Sequence, residues 1–241
     1  MNRARFTAWI GGFALLAALA SPAGASAAVE SVVRLSDGRT FAHWAHPTQR
    51  APVRRSPSTG SRRIAGTHYR TEDGFSEVYP VMRRFTYRNG KAWLRIRIPG
   101  RPNGRSGWVR ASAMGPLNRV RTRLVVDRRR LRATLYRSGR RIWRSPVGVG
   151  AASTPTPAGR FWIREKFRVT NPGGIYGPQA FGTAGYSVLS DWPGGGVIGI
   201  HGTNEPYLIP GRPSHGCIRV PNRAVTRLAR LMPVGTPLRI R

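Results

Sequence analysis

Apolar and polar residues alternate in short runs along most of this chain, and only one stretch carries a helical period. Ala92 to Ile98 sets Trp93, Arg95 and Arg97 on one face and Leu94, Ile96 and Ile98 on the other, the period-2 pattern of a strand. Val78 to Tyr87 precedes it across Arg88-Asn89-Gly90, and Asn-Gly is a strong hairpin signal. A turn from Pro99 to Gly107 leads into Gly107-Trp108-Val109. Short runs joined by such turns predict a small barrel or sandwich over residues 62–117.

Beyond a link at Asn118 to Arg123, strands are predicted at Leu124–Val126, Ala133–Tyr136, Ile142–Val149 and Phe161–Phe167. Others follow at Val188–Leu189, Val197–Ile200, Ile218–Val220 and Leu238–Ile240. The helical period falls on Val225, Leu228, Ala229 and Met232, with Arg223, Arg227 and Arg230 opposite. Asn222 suits the cap, and Pro233 with Gly235 marks the end. The fold class is mainly β with one C-terminal helix.

The two leading segments read differently. Residues 29–61 are rich in Pro, Ser and Arg with little periodicity and are expected to be an irregular linker, with His43 and His46 solvated. In residues 1–28, Arg3 and Arg5 precede an apolar run from Trp9 to Ala20 and a small-residue site at Ala25-Ser26-Ala27. That order predicts a secretory signal peptide and export to the periplasm, cell wall or medium; left uncleaved, the segment would be the chain's membrane attachment.

Charge narrows the partners. The formal net charge is +32, and Lys91 and Lys166 are the only lysines, so the excess is arginine. Such a chain attracts polyanions. Export points to anionic cell-wall polymers, and arginine spread throughout rather than interleaved with aromatics argues against a specific nucleic acid.

The candidate chemistry sits in His201 to Asn222, which holds the only cysteine, Cys217, together with His201 and His215. A thiol becomes nucleophilic when a neighbouring imidazole takes its proton. Gly216 permits close backbone approach, and the amides of Gly216 and Cys217 are candidates to face a developing oxyanion. Two other readings of these residues stand beside this one. A lone cysteine is often a small buried hydrophobe, and His201, His215 and Cys217 are possible metal ligands, although no second cysteine completes a compact structural zinc set. An unpaired thiol in an exported chain favours use of the thiol. No cofactor or metal is expected, and the scattered acids offer no paired carboxylates.

Ser214-His215-Gly216-Cys217-Ile218-Arg219, with His201-Gly202 sixteen residues before the cysteine, resembles the active-site signature of L,D-transpeptidases of the YkuD type. Thr154-Pro155-Thr156-Pro157-Ala158-Gly159-Arg160-Phe161 is similar to the family's TPxGxF turn. The resemblance implies a β-sandwich catalytic domain over 121–241 that acts on peptidoglycan stem peptides. It implies Cys217 as the nucleophile that releases a terminal D-residue and leaves a thioester, and His201 as general acid/base with its other ring nitrogen held by the Gly202 carbonyl. His215 and Gly216 take substrate or oxyanion roles, Arg219 grips the donor carboxylate, and Ser214 positions the loop. Pro221-Asn222 departs from the commonest pattern. Residues 173–196, rich in glycine and aromatics, are expected to form a lid or a wall over the cleft. The order WLRIR…GWV is similar to bacterial SH3-like domains, implying a small barrel that binds wall material or acts as a spacer. Two further functions stay open, an L,D-carboxypeptidase with water as acceptor and a catalytically inert basic wall-binding protein.

Overall fold

The computed structural model describes residues 29–191 and 193–241, so the signal-peptide expectation for residues 1–28 lies outside the described residues. The first half is built from β1 (Val29–Arg34), β2 (Ala42–Ala45), β3 (Pro52–Arg54), β4 (Arg63–Gly66), β5 (Tyr79–Tyr87), β6 (Ala92–Arg97), β7 (Ser106–Arg110) and β8 (Asn118–Val120). They form one sheet in the order β4-β3-β7-β6-β5-β2-β8, with β1 pairing the later part of β5. Ala45, Val53, Tyr79, Val81, Ile96 and Val109 make its core.

This sheet corrects the expected linker at 29–61, because β1, β2 and β3 all lie there. Their few core residues, Ala42, Ala45 and Val53, are too sparse to print a period, and their ladder partners lie far along the chain. His43 and His46 are half-buried rather than solvated; His43 Nδ1 bonds the Leu35 carbonyl and His46 Nδ1 bonds that of Glu77 at 2.7 Å. Trp93, expected on the polar face of β6, is buried beneath the Arg110 guanidinium, 5.1 Å from its ring centre.

The second half stacks two sheets. One is β11 (Arg140–Pro146), β10 (Arg132–Arg137), β9 (Thr122–Asp127), β19 (Pro237–Ile240) and β13 (Gly159–Trp162), in that spatial order. The other runs β14 (Phe167–Arg168), β15 (Gln179–Tyr186), β16 (Val197–His201), β18 (Ile218–Arg219), β12 (Gly148–Gly150) and β17 (Gly211–Ser214). Leu124, Leu135, Phe161, Phe181, Ile200 and Ile218 fill the space between them. Helix α1 (Asn222–Leu231) adds Val225 and Leu228 to the same core.

Several expected elements split or move. The run Ile142–Val149 divides at Val147 into β11 and β12, and Phe161–Phe167 divides into β13 and β14; in each case the pieces join different sheets. Val188 is exposed and not in a strand, whereas the buried strand β15 is mostly Gly, Ala, Thr and Gln and lacks a strand-like apolar signal. Pro221 holds the N-cap position of α1 in place of Asn222, with no side-chain cap.

The halves are joined through buried polar contacts. Arg164, 1 % exposed, donates from Nε to Glu77 Oε1 at 2.9 Å and from Nη2 to Glu77 Oε2, while its Nη1 lies 2.8 Å from Glu72. Tyr186 also donates to Glu72, and Trp162 Nε1 donates to the Val78 carbonyl at 2.7 Å. A guanidinium this deep is tolerated only when paired and hydrogen-bonded.

Candidate active site

Strands β16 and β18 run side by side in parallel, with Ile200 opposite Ile218 and His201 opposite Arg219. This register places Cys217 beside Gly199, whose amide donates to Sγ at 3.4 Å. A Cβ added to Gly199 would lie 3.6 Å from His201 Cδ2 and 3.7 Å from Cys217 Sγ. The two candidate catalytic side chains therefore flank the same glycine, sixteen residues apart in sequence, His201 at the end of β16 and Cys217 at the entry to β18.

His201 is 5 % exposed, and its Nδ1 donates to the Gly202 carbonyl at 2.6 Å. That bond places the proton on Nδ1 and leaves the Nε2 lone pair to accept another. Tyr176 packs edge-on against the ring, centroid to centroid 4.9 Å. Burial pulls the imidazole down to about 4, against the Gly202 bond and with help from Arg219. Burial likewise pushes the Cys217 thiol up, against the Gly199 amide and Arg219. Both groups rest neutral near pH 7, so the arrangement suits proton transfer during attack rather than a standing thiolate–imidazolium pair.

The loop carrying the thiol is fastened by hydroxyls. Ser214 Oγ donates to the Cys217 carbonyl at 2.6 Å and accepts the Gly216 amide at 3.2 Å. Thr156 Oγ1, fully buried, donates to the Gly216 carbonyl at 2.7 Å and accepts the Gly150 amide at 2.9 Å. Thr156 thus braces the cysteine loop from behind. Gly150 must be glycine for this, since a Cβ there would stand 2.3 Å from the Thr154 carbonyl oxygen.

Two sequence expectations are corrected here. The Gly216 amide is committed to Ser214, so of the two proposed oxyanion donors the Cys217 amide is the one that remains. An extended strand through His215 and Cys217 is replaced by a bend, with Gly216 at φ 125°, and His215 is exposed while Cys217 is half-buried. Side-chain alternation therefore does not govern the relation of these two residues.

Arg219 is half-buried beside the site, and its Nη1 holds Glu205 Oε2 at 2.5 Å. Glu205 had no visible partner in sequence; the loop between β16 and β17 brings it round. Asn222 was also missed as a site residue. Its Oδ1 accepts the Thr203 amide at 2.8 Å and fills the space where a Cβ on Gly177 or Gly202 would stand, at 2.4 and 2.3 Å. It therefore positions the peptide whose carbonyl orients His201.

Part of the glycine-rich segment is held in place from the first half. Arg101, from the first half, donates to the carbonyls of Ser187 and Leu189 at 2.9 Å each and to that of Gly195 at 2.9 Å. Among the described residues, no group of three or more His, Cys, Asp and Glu side chains is arranged to hold a metal ion.

Residues 121–240 match the YkuD family, described as the L,D-transpeptidase catalytic domain. A Bacillus licheniformis protein named L,D-transpeptidase YkuD is 41 % identical over 106 residues, covering 44 % of this chain and 57 % of that protein. Its Bacillus subtilis (strain 168) namesake is 39 % identical over 107 residues, covering 44 % and 58 %. The chain thus spans less than two thirds of the length of the curated relatives it matches. Among solved structures, an Enterococcus faecium L,D-transpeptidase is 25 % identical over 50 % of this chain and 49 % of its own, with a TM-score of 0.38.

Proposed function

Because residues 121–240 belong to the YkuD family of L,D-transpeptidase catalytic domains, we propose that this chain is an exported enzyme that cross-links or remodels peptidoglycan stem peptides through a thioester on Cys217. The observation that carries the reading is that Cys217 Sγ and the His201 ring border the same residue, Gly199, whose amide donates to Sγ. The signal-like segment at 1–28 supports export.

The chemistry balances on these two side chains. The thiol attacks the carbonyl carbon of the donor's L,D-peptide bond, and its proton passes to His201 Nε2. The carbonyl oxygen becomes an oxyanion facing the Cys217 amide. Collapse of the tetrahedral adduct breaks the C–N bond, and the imidazolium returns its proton to the departing amine. An acceptor amine then attacks the thioester, gives its proton to His201, and displaces the thiolate, which recovers that proton. The Gly202 bond keeps Nε2 available throughout. Arg219 offers a guanidinium to the donor's terminal carboxylate, in competition with Glu205. A retired site would have no use for the hydroxyl bracing at Ser214 and Thr156, which speaks against an inert binding protein.

The test is incubation with a tetrapeptide donor, followed by intact-mass spectrometry. The expected result is an adduct on Cys217 equal to the donor less its terminal residue, absent in Cys217→Ala. Adding an acceptor amine should give a cross-linked dimer; hydrolysed tripeptide alone would make the chain an L,D-carboxypeptidase. Turnover that survives Cys217→Ala would remove the thiol from its role.

A further inference from the structure

We propose that a guanidinium-lined track, running from the cleft between the two halves onto the outer face of the β11-β10-β9-β19-β13 sheet, binds a linear polyol-phosphate polyanion, a phosphodiester chain without bases. The site goes beyond the peptide chemistry at Cys217, and none of its lining residues belongs to that centre.

The cleft has a volume of about 790 Å³ and is lined by nine arginines and one acid, Asp37. Asp37 is already occupied within its own turn, accepting the amides of Arg39 and Thr40 at 2.7 and 2.8 Å. A second depression, of about 180 Å³, shares Val125, Tyr136 and Arg241 with the first and adds Arg130, Arg132, Arg141 and Arg144. Its acid, Asp127, is met by Arg241 at 3.3 Å. The two depressions form one elongated path, a shape that fits a polymer better than a compact ligand.

Strand register orders the charges along this path. Arg160 pairs Arg239, Arg239 pairs Val125, Val125 pairs Thr134 and Thr134 pairs Arg144, a row that crosses all five strands. Four inter-strand steps span about 19 Å. Arg160 and Arg239 stand directly opposite each other, as do Arg83 and Arg95 at the cleft's other wall. Like charges in facing positions destabilise a sheet unless an anion sits between them. Burial, then the nearby Arg160 and Arg95, hold the Arg97 guanidinium below its usual range. Arg123 Nε is buried without a hydrogen-bond partner while its guanidinium lies 5.0 Å over the Tyr136 ring. Of the arginines lining the two depressions, Arg241 alone is in a salt bridge among the described residues, with Asp127, and the face is otherwise crowded with cations.

Phosphodiester chemistry fits because each planar guanidinium can give two N–H bonds to one phosphate, and the charges lie along the polymer backbone. The path lacks a platform for bases. Tyr136 is covered by Arg123, and Phe161 and Trp162 are each 3 % exposed. A polyol-phosphate chain, with charge and no bases, is the matching ligand.

The experiment titrates the full chain with a fluorescent glycerol-phosphate oligomer. It compares the arginine triple R144Q/R160Q/R239Q with the charge-matched R223Q/R227Q/R230Q on the exposed face of α1. All six positions are exposed, and thermal melts check that both variants fold. The track variant is expected to bind roughly 10- to 100-fold more weakly with a shallower salt dependence, and the helix variant to stay within about threefold of the parent. Equal losses in both variants would show bulk charge and no site, and no loss in the track variant would also overturn the proposal. Equally tight binding of polyglutamate, or of single-stranded RNA, would overturn the ligand class. Stem-peptide acylation of Cys217, measured in parallel, should be unchanged in the track variant; its loss would mean that the track belongs to the catalytic machinery.

Discussion

At Cys217 and His201, burial disfavours charge on both partners, which gives the pair a recognisable pH signature. His201 stays neutral down to about 4, so donor acylation should fall with acid near pH 4 rather than near the ordinary histidine range. His201→Ala should slow acylation by roughly 10²–10⁴-fold, the span for general acid/base groups, read by single-turnover mass spectrometry. Folding carries the same sign. Between about pH 6.5 and 4 the unfolded chain binds a proton that native His201 refuses, so this residue's contribution is whole above 6.5 and fades as pH falls, by roughly 3 kcal/mol in all. Glu205 and Arg219 set the local field. Glu205→Gln should lower the apparent pKa of thiol alkylation by baring the guanidinium, and Arg219→Gln should raise it. Cys217 and His201 were legible because their motifs are contiguous. Glu205 was not, since its partner lies fourteen residues away across a loop, and Asn222 was misread because a local rule sees the helix start and not Thr203.

Among the elements, the brace behind the cysteine loop rests on one hydroxyl. Thr156→Val leaves the Gly150 amide and the Gly216 carbonyl without their shared partner. The expected cost is about 1–3 kcal/mol in urea unfolding, together with slower acylation. Glu165 is 2 % exposed with Oε2 unpartnered, and burial raises its pKa, reinforced by Asp73 against the Thr71 bond and Arg164. The native state therefore holds a proton that the unfolded chain releases, and stability drains as pH rises from the ordinary carboxylate range through the raised value. Glu165→Gln should be more stable than the parent at pH 8 and lose that advantage near pH 4, measured by thermal melts. The strands that periodicity captured, such as β6 and β9, have one wet face. It failed for β15, buried along nearly its whole length and built of small residues, and for β12, whose three residues carry no pattern.

For the whole molecule, the sandwich-like half was readable from its motifs and its amphipathic helix. The partnership between halves was not, because Glu72, Glu77 and Arg164 look like surface charges until the fold buries their contacts. Arg164→Met strands Glu77, which is 0 % exposed, and should cost about 3–5 kcal/mol. The contacts that carry this cost are also a constraint on modularity. A catalytic half cut free at residue 121 would expose Trp162 and strip Arg164 of both its carboxylates, and its 187–195 segment would lose the three carbonyl bonds from Arg101. The first half thus behaves less as an interchangeable accessory than as a missing wall of the enzyme. A graft of this catalytic half onto another chain would need Arg101, Glu72 and Glu77 to travel with it.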